Sequence, residues 1–380
     1  METVQILLVG GRQVPNVIGS MELHPQYVDF LVSQDEINRV NTLVESLAGI
    51  EGLNLPDKKN LEIVDAYDYQ ANVDACKRLC AKHANKRIQF NLTGSTKIMA
   101  FAAYDIAHQF QKEAFYVNTA KGQIVWLLGN HKASTPFRLT IEEYLRTYGR
   151  QPQLTFDFSR LTFGQLQAIE AARLLARLGP DAINLLYQIR RVQGKGVRRV
   201  TFNRATTKEQ KLIDDLAKIG VIDKEQNAFL ICSNEDWNFF KGDWLEIYVW
   251  DEARQQMDKE GRPLFDECEL SLEIPSEAAR KEIDVACLYQ AQLIHCSCKT
   301  DRKSFETAYL DELRAVSSLI GGRFCSRVFI TNAIFTAQEQ KDKFLAQATQ
   351  REIIVITGDN LKDLGGILAK QAIKPDFWRV

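Results

Sequence analysis

No apolar run in this 380-residue chain is long enough to span a bilayer. The apolar stretch within Met1–Gly10 is too short and its surroundings too acidic for a signal peptide. The expected location is therefore the cytoplasm, with no membrane partner. A paired-cysteine framework is also missing. Cys76/Cys80 and Cys296/Cys298 have no partner pairs at zinc-site spacing, and several of the eight cysteines fall in apolar strand patterns, which points to free buried thiols. The five histidines include no His-x-x-x-His pair, so a zinc enzyme is not expected. A formal net charge of −1 supplies no global field toward nucleic acid, and any such contact must come from local patches. After the first apolar run there is no Gly-x-Gly-x-x-Gly and no P-loop lysine, which disfavours a dinucleotide enzyme or an NTPase.

What is present fits a folded chain of two or three domains, with 45% hydrophobic and 26% charged residues. Residues 1–145 alternate strand and helix patterns. Strands are expected at Val4–Val9, Tyr27–Val32, Leu61–Val64, Arg87–Phe90 and Ala114–Val117, and helices around 37–47, 69–82 and 96–111. That alternation predicts a largely parallel, Rossmann-like α/β sheet whose ligands bind beyond the carboxyl ends of its strands. Two loops lie there. Gly10–Asn16 contains Gln13 and Asn16. Asn91-Leu92-Thr93-Gly94-Ser95-Thr96-Lys97 joins a strand to a helix, and its glycine, hydroxyls, lysine and free helix-start N–H groups favour an anion. Plain helix capping accounts for the same residues. Asn118–Gln123 reads as a hairpin turn into Ile124–Leu128.

Residues 146–240 read as a mostly helical, winged-helix-like connector. Seven basic residues between Arg190 and Lys208 form either a phosphate-tracking patch or a solvated hinge. The third region, 241–380, is expected to be a mixed sheet with helices. Gly242-Asp243-Trp244-Leu245-Glu246 reads as a helix start with Asp243 as N-cap and Glu246 completing a capping box. Its centre is a hairpin, Glu282–Leu288 and Leu293–Lys299. Alternation puts Glu282 and Asp284 on one face of the first strand and His295, Ser297 and Lys299 on one face of the second, with Cys296 and Cys298 turned to an apolar layer. A carboxylate and a lysine at the ends of paired strands can hold a divalent cation and polarise a phosphate; a polar face that meets water fits the same pattern.

Taken in order, Gly242–Glu246, Glu282-Ile283-Asp284 and Cys298-Lys299-Thr300, followed by a helix ending Gly321-Gly322, resemble the PD-(D/E)XK nuclease domain of CRISPR ancillary nucleases. The first region, with Asn91–Lys97, is similar to their CARF domain, a Rossmann-like sensor of cyclic oligoadenylates. The resemblance implies a restriction-endonuclease-like third region and a homodimer that binds one cyclic tetraadenylate. It implies cleavage of single-stranded RNA or DNA, or nicking of duplex DNA, with Mn²⁺ or Mg²⁺. Carried onto this sequence, Asp284 and Lys299 become catalytic, with Asp284, Glu246 and Glu282 as metal ligands. Asn91, Thr93, Gly94, Ser95, Thr96 and Lys97, with Gln13 and Asn16, become ligand contacts. The family pattern has an acid two residues before the lysine, where this chain has Ser297. Glu246 or Glu282, or Glu306 or Glu312 on the following helix, would have to replace it; otherwise the region is a sensor's inactive partner.

Overall fold

The computed structural model describes residues 1–11, 13–57, 61–131, 137–192, 194–202, 205–275, 280–300, 304–321 and 325–377, so Arg12, Arg204 and Gly322 of the motifs above lie outside the described residues. The chain divides into two compact units, Met1–Gln151 and Pro152–Val380. No helix among the described residues is long and apolar enough to cross a membrane.

The first unit runs β1 (Thr3–Val9), α1 (Val14–Leu23), β2 (Tyr27–Ser33), α2 (Arg39–Leu47), β3 (Glu62–Val64), α3 (Tyr69–Lys82), β4 (Arg87–Asn91), α4 (Lys97–Gln109), β5 (Glu113–Asn118), β6 (Gln123–Leu128) and α5 (Ile141–Arg146). The strands form one sheet in the order β3-β2-β1-β4-β5-β6, parallel except for the β5–β6 hairpin. The near-continuous apolar sequence of β1 follows from burial on both faces. Leu7 and Val9 pack with Val17, Phe30, Val40 and Leu43 on one side, while Ile6 and Leu8 pack with Leu79, Phe90 and Met99 on the other. Helix α1 departs from the expected loop over Gly10–Asn16. Pro15 occupies its first turn, where a missing N–H costs nothing, so the Gly-Gly stretch ends at Gln13. Strand order reverses between β1 and β4, which opens a crevice at their carboxyl ends.

The second unit begins with β7 (Gln153–Leu154), α6 (Gln165–Leu178), α7 (Ile183–Arg191), β8 (Arg198–Thr201), α8 (Thr207–Ile219), β9 (Asp223–Lys224) and β10 (Ala228–Ile231). It continues with α9 (Asn234–Asn238), α10 (Trp244–Arg254), β11 (Glu267–Ile274), β12 (Lys281–Tyr289), β13 (Gln292–Lys299), α11 (Thr307–Ile320), β14 (Cys325–Thr331), α12 (Gln338–Gln350), β15 (Ile353–Ile356) and α13 (Leu364–Ile373). A mixed sheet in the order β15-β14-β13-β12-β11-β7 is its spine, and β8, β10 and β9 form a small antiparallel sheet. The β12–β13 turn is tight: Gln290 and Ala291 both take left-handed φ values (49° and 63°), the twist that suits a two-residue hairpin. One face of the spine packs into a single core with α6, α7, α8, α10 and α13, so residues 161–240 share their interior with the sheet. The other face packs on α11 and α12 through Leu313, Phe329 and Phe344. All eight thiols are free and six are buried.

The expected helix start at Gly242 is not where the helix starts. Asn234–Arg254 is one helical run in which Phe239–Asp243 widens into a π-turn, and buried Phe239, Phe240 and Trp244 fill the space beneath it. Asp243 is helical (φ −61°) and makes no side-chain cap, so the capping box does not form.

His295 is buried with Nδ1 2.9 Å from Ser317 Oγ on α11. Burial, with Lys299 and Arg327 nearby, lowers its pKa from the ordinary 6.5 to about 3. Below pH 6.5 the unfolded chain takes up a proton that the folded chain refuses, so stability falls with pH. Between pH 7 and pH 5 this group alone should cost about 2 kcal/mol. Urea unfolding at both pH values should show that loss in the wild type, and His295→Gln should flatten it.

Candidate functional site

The crevice of the first unit is built by two loops in contact. A Cβ on Gly10 would lie 2.6 Å from the Gly94 carbonyl oxygen and 2.8 Å from Ser95 Cα, so only glycine lets the β1 and β4 loops meet. Asn91 and Asn16 are fully buried beneath them. The Asn91 amide donates to the Pro15 carbonyl (3.0 Å) and accepts from the Thr93 N–H (3.2 Å), while the Asn16 amide donates to the Leu8 carbonyl (3.1 Å). Gln13 donates to the Gly10 carbonyl (2.8 Å). These three amides brace the crevice. Their remaining acceptors, Gln13 Oε1 and Asn16 Oδ1, are buried without a hydrogen-bond partner.

The rim is made by the next residues. Thr93 Oγ1 accepts from the Val117 N–H (2.7 Å), which pins the loop to β5. Thr96 caps α4, accepting from the Met99 N–H (3.3 Å) and donating to the Ala66 carbonyl (2.9 Å). Ser95 donates to the Thr96 carbonyl (3.2 Å), and Lys97 is exposed at the first position of the helix. Free N–H groups, hydroxyls and an ammonium at one helix start suit an anionic ligand. Thr96 does cap the helix, and the same turn carries the groups that would face an anion.

In the second unit, Asp284 and Lys299 come together as the strand alternation implies. Asp284 Oδ2 accepts from the Cys298 N–H (2.6 Å), from Lys299 Nζ (3.3 Å) and from Ser297 Oγ (3.4 Å). Ser297 therefore supplies a donor where the resembled pattern has an acid. Glu246, on α10, accepts from Ser271 Oγ (2.8 Å) and faces the same cluster. Burial, then the charges of Asp284 and Asp243, hold its carboxyl well above the usual range, against the Ser271 hydrogen bond. Asp243 is pushed to about 6 by burial and by Glu282, with Lys241 opposing. Glu282 is also raised, by burial, Asp284, Glu273 and Glu312, against Lys299. Burial would lower the Lys299 pKa, but Asp284, Cys298 and Glu246 together outweigh burial and raise it.

The structure thus brings Asp284, Lys299, Glu246 and Glu282 into one electrostatic neighbourhood and adds Asp243, which the sequence reading assigned to a cap. The available signal was the i, i+3 spacing of Asp243 and Glu246, which places both on one helix face. Glu306 is exposed at the start of α11 and makes no cap. Several members of the basic run are occupied. Arg190 donates to the Lys241 carbonyl and to Thr300 Oγ1, Arg198 is buried against the Gly194, Gly196 and Ser233 carbonyls, and Arg199 pairs with Glu225. Arg191 and Lys195 remain exposed. The all-oxygen donor set fits a hard divalent cation, which would offset the burial and the mutual repulsion that raise these carboxyls. Among the described residues, no three His, Cys, Asp or Glu side chains yet stand close enough to hold one.

The Card1 CARF domain family matches residues 4–144, and the Card1-like endonuclease domain family matches residues 233–374. No curated protein sequence matches the chain significantly. Among solved structures, protein VC1899 from Vibrio cholerae shares the fold with a TM-score of 0.77 at 18% identity, over 97% of each chain. Can2 from Sulfobacillus thermosulfidooxidans, solved with cyclic tetra-adenylate, superimposes with a TM-score of 0.71 at 22% identity, over 98% of this chain and 99% of that one. A type III CRISPR defence DNA nuclease activated by cyclic oligoadenylate gives 0.51 at 15% identity, over 87% of this chain and 45% of that one.

The Asp243 carboxyl holds its proton more tightly folded (about 6) than at its ordinary 3.8. That contribution to stability is complete below pH 3.8 and is lost as pH rises through about 6. At pH 7.5 with chelator present, Asp243→Asn should therefore stabilise the protein, by about 1–2 kcal/mol after solvent screening. Thermal unfolding checks this, and the gain should vanish at pH 4.

Proposed function

Because this chain belongs to the Card1-like family, in which a CARF domain is joined to an endonuclease domain, we propose that it is a cyclic-tetraadenylate-activated endonuclease of type III CRISPR antiviral defence, acting in the cytoplasm. The observation that carries this reading is the Asp284–Lys299 pair (3.3 Å) on the adjacent strands β12 and β13, with Glu246 facing it from α10. The family membership supports a nuclease, and the crevice between β1 and β4 supports the activator. Thr93, Ser95, Thr96 and Lys97 offer donors to its phosphates and riboses, over a floor braced by Gln13, Asn16 and Asn91. A homodimer supplies two such crevices to one ring. The substrate is single-stranded RNA or DNA, or duplex DNA that is nicked.

Asp284, Glu246 and Glu282 are the side chains that would hold Mn²⁺ or Mg²⁺, which when bound supplies charge neutralisation at a phosphate oxygen. Because Asp243 and Glu246 both bind protons more tightly than usual, protons compete with a cation for the same oxygens. The Cys298 N–H and the Ser297 hydroxyl hold Asp284 in orientation. Lys299 keeps N–H donors for charge that builds on the phosphate as its bond to the leaving oxygen breaks.

Two experiments test this. Labelled single-stranded RNA, single-stranded DNA and supercoiled plasmid should be cut with Mn²⁺ only when cyclic tetraadenylate is added. Lys299→Ala should slow cleavage by about 100-fold or more while still binding the activator. Equal cleavage by the variant would overturn the role of Lys299. Ser297 favours one other reading, a sensor whose nuclease fold no longer cuts, and a wild type that binds activator but cuts nothing establishes it. On the sensor side, Lys97→Ala should weaken activator binding by about 10-fold, as loss of a charged hydrogen bond does. Calorimetric titration measures this. Thr96→Ala is a poorer probe, because it also removes the cap of α4.

A further inference from the structure

Strand β11 pairs with β12 without a register shift, with Leu270 opposite Val285 and Leu272 opposite Ile283, and the ladder skips Ser271 and Asp284 between them. Its backbone is nevertheless left-handed, at φ 49°, in the middle of a strand. A serine there is disfavoured unless its surroundings hold it, and such residues concentrate at functional sites. Two sets of hydrogen bonds hold this one. Its carbonyl accepts from both the N–H (3.0 Å) and the Oγ1 (2.8 Å) of Thr155, just beyond β7. Its hydroxyl, on a residue only 6% exposed, donates to Glu246 Oε2 (2.8 Å). The left-handed turn gives the carbonyl to the edge strand and the hydroxyl to α10 from one residue.

We propose that Ser271 is a positioning residue for the endonuclease site: its hydroxyl fixes the Glu246 carboxylate beside Asp284, and Thr155 locks Ser271 in the conformation that makes this contact. The inference rests on the reading of Glu246 as a cation ligand. A hydrogen-bonded neighbour of this kind orients a ligand without touching the cation, and its loss weakens metal binding by about 10- to 100-fold.

Glycine is the informative substitution, because it accepts φ 49° and removes the hydroxymethyl group without straining the backbone. The full-length, metal-free protein is titrated with Mn²⁺ alone, free Mn²⁺ being followed by electron paramagnetic resonance, and cleavage is measured separately. Ser271→Gly should fold at least as stably as the wild type, bind Mn²⁺ about 10-fold or more weakly, and lose kcat at limiting Mn²⁺ with KM for nucleic acid unchanged. Ser271→Asn, which tolerates the left-handed backbone and restores a donor, should recover much of the loss. Thr155→Val should shift both readouts in the direction of Ser271→Gly, but less. Wild-type Mn²⁺ affinity and kcat in Ser271→Gly would overturn the role of Ser271. A wild type that does not cleave, with Mn²⁺ binding still weakened in Ser271→Gly, would sustain that role and overturn the nuclease reading. No Mn²⁺ binding by the wild type would overturn both.

Discussion

An ammonium and a carboxylate 3.3 Å apart, where two central strands meet, set the terms for the rest of the second unit. Asp284 is buried, and an unpaired charge there would be expensive. The sheet compensates with a backbone N–H from Cys298 and a hydroxyl from Ser297, and Lys299 closes the shell. The opposite face of the same strands is apolar, with Val285, Cys287, Cys296 and Cys298 in the main core. A strand pair with one ionic face and one apolar face cannot slip register without burying its charges among those residues. The same pairing that makes the site therefore also fixes the sheet around it.

The two candidate sites are built on opposite principles. The crevice of the first unit relies on backbone and neutral groups, with amides spent on carbonyls, a threonine cap and a glycine that lets two loops touch. An exposed charge, Lys97, sits on the rim. The site of the second unit buries and crowds carboxyls until their hold on protons tightens. One arrangement suits a ligand that is to be held, the other a charge that is to be neutralised.

Much of this was legible in the sequence. Tyr69–Lys82 falls on its expected bounds and Val4–Val9 within one residue of them, because a long 3.6-residue period and a continuous apolar run leave little choice. Asp284 and Lys299 meet because alternation along a strand is strict. The errors have physical causes. Asp243 and Glu246 match a capping box in spacing, but the helix had already begun at Asn234, and the apolar demand of Phe239, Phe240 and Trp244 carried it through as a π-turn. Helix α1 was hidden because Gly-Gly and Pro read as loop, although proline is also at home in a first helical turn. Ser271 gave no signal at all, since a left-handed residue that is not glycine is dictated by its partners and not by its own side chain.

Strand β7 is two residues long, and Thr155 just beyond it adds one more contact on the flank of β11. A sheet flank guarded so briefly would invite pairing with another chain were it apolar. Here β11 bears Glu267, Glu269 and Glu273, and Arg280 pairs with the last of them. Self-association along this flank would stack like charges on like charges. The acidic strand thus discourages fibre-like stacking, so two residues suffice as its cover.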